Sequence, residues 1–441
     1  MRISESVFFC QLFDALNASG IDYAVMRNGN DLPATLNGSD LDIILKPGSI
    51  DVTRKLISSL AHECGGAVMG EISGPRFLEM SLLGQINGAW WGVTIDLCDG
   101  GYVWEPINGI TVLKYKVMSP GKVCILHDDM AQLLGFAKEL LMNRKLSIRY
   151  HLGAVKAINS GMLSVFSSDN FARFVRSCAE SMRRPSYIKW TLLRIDLVLQ
   201  SVLERPITAM ANYWGYYASK ARRCCAPCGH MMVIMGTDGA GKSTLIDTIK
   251  SVLNLSFHRS VVLHHLKPDL FPPLARFRGV KCTVQHVCSN PHASKPSGVI
   301  GSVARITYLM LDYVLGYLLK VRVRLAKLPV CLWVFDRYAS DIIIDPWRFR
   351  INLPKWLLKM FLFLVPRPDL ILCLGGDPEI IYSRKPETSL DEVRRQVVAL
   401  RKFCDGNKRA VWIDTTTSVE ESANAALRVI MNRLGMKGEC P

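Results

Sequence analysis

The chain has 441 residues and 49% hydrophobic content, enough for roughly two or three packed domains, which excludes a disordered protein. Its 54 Lys and Arg against 38 Asp and Glu leave a net charge of +16. That balance suits anionic ligands such as nucleotides, nucleic acid or an acidic membrane face, without choosing among them. The fourteen cysteines are scattered and no secretory signal precedes Val7-Phe8-Phe9-Cys10, so reduced thiols in a cytoplasmic protein are expected.

Residues 1–125 read as a small α+β domain. Phe9, Leu12, Phe13 and Leu16 form a helical stripe, Tyr23–Met26 and Leu41–Leu45 read as strands, Val52–Leu60 as a helix and Trp90–Leu97 as a strand. In Gly38-Ser39-Asp40-Leu41-Asp42-Ile43, strand alternation puts Asp40 and Asp42 on one face while Leu41 and Ile43 point to the core. Two carboxylates so spaced can share Mg²⁺, and Asp96 in Val93–Leu97 offers the third that two-metal nucleotidyl transfer requires. Gly38 and Ser39 would hold the triphosphate. Through Gly38, Ser39, Asp40, Asp42 and Asp96, with Arg27 beside them, residues 1–100 resemble the DNA polymerase β-type nucleotidyltransferase superfamily in its minimal form. The alternative is a vestigial module kept for binding or assembly.

Residues 126–229 read as a basic helical domain ending in a linker. Met130, Leu133, Leu134, Phe136, Leu140 and Leu141 form one stripe. Arg173, Arg176, Arg183 and Arg184 are spread along later segments, and Lys220, Arg222 and Arg223 cluster at the end. A solvated helix face explains these cations better than a nucleic-acid groove. The linker is expected at Ala221–His230, around Pro227 and Gly229. It holds Cys224, Cys225, Cys228 and His230, but zinc would need a second ligand pair, for which Cys282, His286 and Cys288 are loosely spaced, so a plain linker is favoured.

Residues 230–441 open on the apolar run Met231–Met235, followed by Gly236-Thr237-Asp238-Gly239-Ala240-Gly241-Lys242-Ser243-Thr244 and then Leu245, Ile249 and Val252 at helical spacing. This is G-x-x-x-x-G-K-[ST] between a strand and a helix, a loop whose amides cradle phosphates. Lys242 can reach the β- and γ-phosphates of ATP and Ser243 can ligate Mg²⁺. The helix near Ile300–Val321 is the longest apolar one, yet it carries Arg305 and Asp312. It therefore reads as a buried helix rather than a membrane span, with loose membrane association left open. Val330–Phe335 precedes Asp336-Arg337-Tyr338, which places Asp336 at a strand's carboxyl end. Pro368–Leu374 is a further strand, Asp377-Pro378-Glu379 starts a helix, and Val411–Asp414 and Val419–Leu434 close the domain.

The ordered set G-x-D-G-A-G-K-S-T, D-R-Y, P-D-L-I-L and D-P-E with a downstream basic helix resembles the thymidylate kinase family over residues 230–436. The resemblance implies a P-loop NTPase or kinase fold with a parallel sheet, ATP and Mg²⁺ as cofactors, and a distribution of roles. Gly236, Gly239, Ala240, Gly241, Lys242, Ser243 and Thr244 would hold the nucleotide, with Ser243 and Asp336 on the metal. Arg337 would contact the acceptor or the transferred group, and Asp238 would face the acceptor. No arginine lies within the loop, so the charge-stabilising one would come from Arg384, Lys385, Arg394 or Arg395 in the lid. One departure matters: where that family carries R-E-P, this chain reads His264-His265-Leu266-Lys267-Pro268. The fork-shaped guanidinium for a monophosphate is missing, so a poor fit to dTMP is expected; the adjacent histidines read as a packed turn.

The favoured expectation is a phosphotransferase acting on a small nucleotide, sugar or lipid-linked acceptor, with the N-terminal domain as regulator or second enzyme. Two alternatives stay open: a kinase and nucleotidyltransferase that modifies nucleic-acid ends, and a nucleotide-binding switch without catalysis. Nucleic acid is the less favoured partner because no aromatic-plus-basic stacking motif stands out; a homodimer is compatible with all three readings.

Overall fold

In this computed structural model the described residues are 3–100, 107–257, 261–272, 297–327, 331–386 and 388–435. Two units separate, residues 2–222 and residues 223–441. The fold class is α/β, with a mixed sheet in the first unit and a wholly parallel one in the second.

The first unit is built on β1 (Tyr23–Val25), β2 (Leu41–Leu45), β3 (Gly66–Gly74), β4 (Phe77–Ile86), β5 (Ala89–Cys98), β6 (Lys116–Met118) and β7 (Cys124–Leu126), ordered β3-β4-β5-β2-β1-β7-β6. Strand alternation divides β2 between two cores. Leu41, Ile43 and Leu45 join Phe9, Leu12 and Ile57 on one face, where the helices Ser6–Ala18 and Ile50–Glu63 lie. Ile44 joins Leu134, Phe136 and Ala137 on the other, under the helix Asp128–Asn143. All five residues of β2 are therefore buried. The helices that follow residue 125 are thus part of the packing that closes the sheet.

Two stretches differ from expectation. The antiparallel hairpin β3–β4 was not read from the sequence, because its glycines and mixed burial obscure a two-residue period. The expected linker Ala221–His230 is shorter, since the helix Pro206–Cys225 continues through Cys225. Arg322 donates to the carbonyls of Cys224 (3.1 Å) and Cys225 (2.8 Å), satisfying acceptors that a helix end leaves open. Cys224 and Cys225 are exposed while Cys228 and His230 are buried. Among the described residues no group of three His, Cys, Asp or Glu side chains is placed to hold a metal ion. Cys282, His286 and Cys288 lie outside the described residues.

The second unit's strands are β8 (His230–Gly236), β9 (Val261–His265), β10 (Leu332–Asp336), β11 (Leu370–Gly375) and β12 (Ala410–Asp414), ordered β12-β11-β8-β10-β9 and all parallel. Every residue of β8 and β11 is buried, as strands covered on both faces must be. The chain leaves β8 toward β9 and leaves β10 toward β11, on opposite sides, so a crevice opens at the carboxyl ends of β8 and β10. The motif residues also anchor the sheet: Asp369 accepts from the Met231 amide (3.0 Å), and Asp377 caps the helix Pro378–Arg384 through the Glu379 amide (2.8 Å).

The helix Val299–Gly316 runs on through a π-turn at Tyr317–Val321 into Arg322–Lys327. It was expected to be buried, but only one face is. Ser302, Ile306, Asp312 and Tyr313 pack inward, while Leu311, Leu315, Leu318 and Leu319 are exposed. By length and composition alone Val299–Ala326 could cross a membrane. Asp312 explains the inward packing: it is wholly buried, pairs with the Lys267 ammonium, and accepts from the Leu270 amide at 2.8 Å. A buried carboxylate must be paired, so this contact ties the helix to the segment after β9. Lys267→Met should strand the carboxylate and cost about 3–5 kcal/mol in chemical unfolding. Lys267→Met with Asp312→Leu should recover most of that loss, and a single variant as stable as the parent would show that the pair does not seat the helix.

Candidate functional site

The crevice of the second unit is built from the loop that follows β8. Gly239 and Gly241 take φ of +86° and +78°, a left-handed conformation that side chains disfavour, and so turn the chain into the helix Lys242–Ser256. Leu245, Ile249, Val252 and Leu253 bury the inner face of that helix, which fixes its free N-terminal amides at the loop. Ser243 and Thr244 are exposed there.

Lys242 is placed differently from the surface-facing charge expected of a phosphate-binding lysine. It is buried, and its Nζ donates to the carbonyls of Gly236 (3.0 Å) and Thr237 (2.9 Å). Burial first, and then Arg337, push its ammonium down from 10.5 to about 8. The lysine is held by carbonyls of its own loop.

Facing the loop, β10 ends in Asp336 and Arg337. One carboxylate oxygen of Asp336 lies 3.3 Å from His265 Nδ1; Oδ1 is buried and has no hydrogen-bond partner. Burial would raise the Asp336 pKa, but His265 and Lys242 more than offset this and hold it low. Arg337 takes φ of +71°, strained for a residue with a side chain, and is pinned there by its amide's bond to Ile234 O (2.9 Å). Its guanidinium bonds one oxygen of Asp238 at 2.5 Å, and Arg348 bonds the other at 2.6 Å. Despite burial, these two cations with Lys242 hold the Asp238 carboxyl well below the carboxylate range. Arg337 also lies 3.6 Å from the buried Asp341. A cleft adjoining Gly236 and Thr237 is lined by Arg337, Asp341, Asp345, Arg348 and Gln396.

Of the residues singled out in the sequence, the structure brings Asp238, Lys242, Asp336 and Arg337 together, and it places beside them Arg348, Asp341 and Asp345, which the sequence did not single out. The spacing of Arg337 and Asp341, four apart as on one helix turn, was the available signal. The expected lid cations point to other partners. Arg384 donates to Thr415 O (2.7 Å), Arg394 pairs with Glu379 (2.9 Å), and Arg395 grips Glu392 through two bonds of 2.7 and 2.6 Å. Of the two histidines, His264 is a packing residue, stacked on Trp333 at 4.7 Å, whereas His265 touches Asp336.

The first unit holds a second candidate site. Asp42 and Asp96 are register partners on the parallel pair β2 and β5, with Asp40 just before β2. Asp42 is nearly buried, and its two oxygens accept from Nε and from Nη2 of Arg27. Burial, then Asp42 and Asp40, push Asp96 up to about 7, and its Oδ1 is buried without a hydrogen-bond partner. Gly38 (φ +71°) and Ser39 lie in the loop leading into β2. The pocket over Asp42 and Asp96 is lined also by Glu79, Phe77, Leu134 and Lys138. Glu79 pairs with Asp96 across β4 and β5, and Lys138 comes from the covering helix; the sequence reading missed both.

No protein family and no curated protein matches the chain. Among solved structures, the thymidylate kinase of Ehrlichia chaffeensis is similar over 46% of this chain and 98% of its own, at 14% identity and a TM-score of 0.33.

The loop geometry separates its two glycines experimentally. A Cβ at Gly239 would lie 2.6 Å from Ile381 O, while one at Gly241 would meet nothing within 4 Å. Gly241→Ala should cost only the left-handed penalty of about 1–2 kcal/mol. Gly239→Ala should cost measurably more in thermal unfolding; equal losses would overturn this reading of the loop.

Proposed function

We propose that the second unit is an ATP- and Mg²⁺-dependent phosphotransferase acting on a small nucleotide, sugar or lipid-linked acceptor. The observation that carries it is the convergence of Lys242, Asp336 and the Arg337–Asp238–Arg348 cluster at the carboxyl ends of β8 and β10. The loop amides and Lys242 would bind the β- and γ-phosphates, with Lys242 exchanging two backbone carbonyls for phosphate oxygens. Asp336, with an unpartnered oxygen, and the exposed Ser243 hydroxyl form an oxygen donor set suited to Mg²⁺. Mg²⁺, when bound, neutralises charge on the phosphate oxygens. Arg337 and Arg348 then offer preassembled positive charge to the transferred group or an anionic acceptor, while Asp238 holds both guanidiniums and can accept from an acceptor hydroxyl. Arg384, Arg394 and Arg395 remain lid candidates that would have to exchange their present partners.

For the first unit we propose a nucleotidyltransferase-type site on Asp40, Asp42 and Asp96, whose carboxylates as they stand are not placed to hold a metal ion together, so an ion there would require them to close up. The paired register of Asp42 with Asp96 and the orphaned oxygen of Asp96 support it. Arg27 neutralises Asp42 in its place, so binding there would require the guanidinium to yield or to contact the triphosphate.

ATP labelled separately at its α- and γ-phosphates, offered with nucleotide, sugar and RNA acceptors, tests both readings: γ-transfer marks the kinase and α-transfer the nucleotidyltransferase. Lys242→Met should lower γ-transfer at least about a hundredfold, about 3 kcal/mol of transition-state stabilisation. The same variant should not lose stability at pH 7. A lysine whose pKa is depressed by folding costs stability while charged, and that cost is relieved only as pH rises from about 8 toward 10.5. Full γ-transfer in Lys242→Met would sink the kinase reading. In a Lys242→Met background, Asp42→Asn with Asp96→Asn should remove the remaining Mg²⁺-dependent nucleotide binding; retained binding would make those carboxylates structural.

Lys267 is committed to the buried Asp312 and to Phe271 O (2.9 Å), so it cannot replace a phosphate-gripping arginine. Steady-state assays should find dTMP a poor acceptor beside other monophosphates and sugars. A kcat/KM for dTMP above about 10⁴ M⁻¹s⁻¹ would overturn that expectation.

A further inference from the structure

Residues 346–368 contain five basic residues and no acidic one. Within them the helix Lys355–Phe363 is anchored by one buried side chain, Leu358, which packs with Ile306, Ile342 and Ile351. Its outer side is apolar. Trp356, Met360, Phe363 and Leu364 are between 56% and 70% exposed. Their spacing of four, three and one gathers them on one stripe of the helix. Lys355 and Lys359, both exposed, run along the edge of that stripe. Beyond it the Arg367 guanidinium lies 5.6 Å from the centre of the Phe363 ring. A bulky apolar stripe with a tryptophan, bordered by Lys355, Lys359 and Arg367, is what an element lying in the plane of an anionic interface presents.

Size and charge choose the occupant. Covering these four side chains would bury on the order of 500 Å², short of the roughly 800 Å² per partner that a stable protein interface needs. Lipid headgroups and acyl chains meet both requirements, since apolar side chains enter the acyl boundary and lysines pair with headgroup phosphates. We propose that this face docks the protein on an anionic lipid bilayer, with the helix Lys355–Phe363 lying in the headgroup plane. Lys355 also lines a cleft with Asp345, Glu392 and Arg395, and Asp345 lines the cleft beside Gly236 and Thr237 as well, so docking here would place that side of the proposed site near the membrane. The docking itself does not depend on phosphoryl transfer, and its test uses no ATP, so its failure and that of the phosphotransferase reading are separable.

The test is co-sedimentation of the full chain with vesicles of phosphatidylcholine alone and of phosphatidylcholine mixed with phosphatidylglycerol. The parent should bind the mixed vesicles at least about tenfold more tightly than the neutral ones, and raised salt should weaken it. Trp356→Glu with Phe363→Glu should lower that binding about tenfold or more while thermal unfolding stays unchanged, because both side chains face solvent. Lys355→Glu with Lys359→Glu, also at exposed positions, should do the same through charge alone. A parent that stays in the supernatant with mixed vesicles overturns the proposal, as do both variants binding like the parent. So does a lipid-free dimer, seen by analytical ultracentrifugation, that Trp356→Glu with Phe363→Glu converts to monomer, since the face would then join two copies of the chain.

Discussion

Burial of β8 on both faces of a parallel sheet is the constraint on which the second unit depends. All seven residues from His230 to Gly236 are buried between β10 and β11, and after His230 at its start the strand carries no polar side chain. Chemistry is therefore confined to the strand's carboxyl end, where the chain must turn through Gly239 and Gly241 into a helix. The same strand sets its neighbours. Its Met231 amide bonds Asp369, and its Ile234 carbonyl holds the backbone of Arg337 in a left-handed conformation that aims the guanidinium at Asp238. Strain at Arg337 is thus maintained by a strand buried on both faces.

Both candidate sites carry their own counterions. In the second unit Lys242, Arg337 and Arg348 lie among Asp238, Asp336 and Asp341. In the first, Arg27 answers Asp42 while Asp96 is held toward its neutral form by burial and by the neighbouring carboxylates. Preassembled charge lowers the reorganisation needed on binding, at the cost of present contacts that must be exchanged. Lys242 would give up two carbonyls and Arg27 a carboxylate. One oxygen on each of Asp336 and Asp96 is buried with no hydrogen-bond partner, so these networks are not fully satisfied within the chain.

The pair formed by Lys267 and Asp312 has a wider reach than its two residues. It draws one face of an otherwise apolar helix into the core and removes Lys267 from any phosphate-binding role. The outer leucines of that helix and the exposed stripe on Lys355–Phe363 leave apolar surface whose use depends on what lies outside the chain.

The local pattern by itself determined the glycine loop between β8 and the helix Lys242–Ser256, the strands on either side of the crevice, Asp336 at a strand end, and the spacing of Asp40, Asp42 and Asp96. These are short-range features: a glycine loop between a buried strand and a helix, or alternation along a strand, is written into neighbouring residues. Only the tertiary structure decided that Arg348 shares Asp238 with Arg337, that Glu79 and Lys138 face Asp96, that Lys242 is buried against its own loop, and that Lys267 serves Asp312. Each joins residues far apart in sequence, or depends on how deeply a side chain is buried. The helix Asp128–Asn143 likewise reads as an ordinary amphipathic stripe, and nothing in that stripe says that it covers β2. Periodicity tells which face of an element turns inward; the partner it meets there is set by sheet order and crossovers, which no local pattern contains.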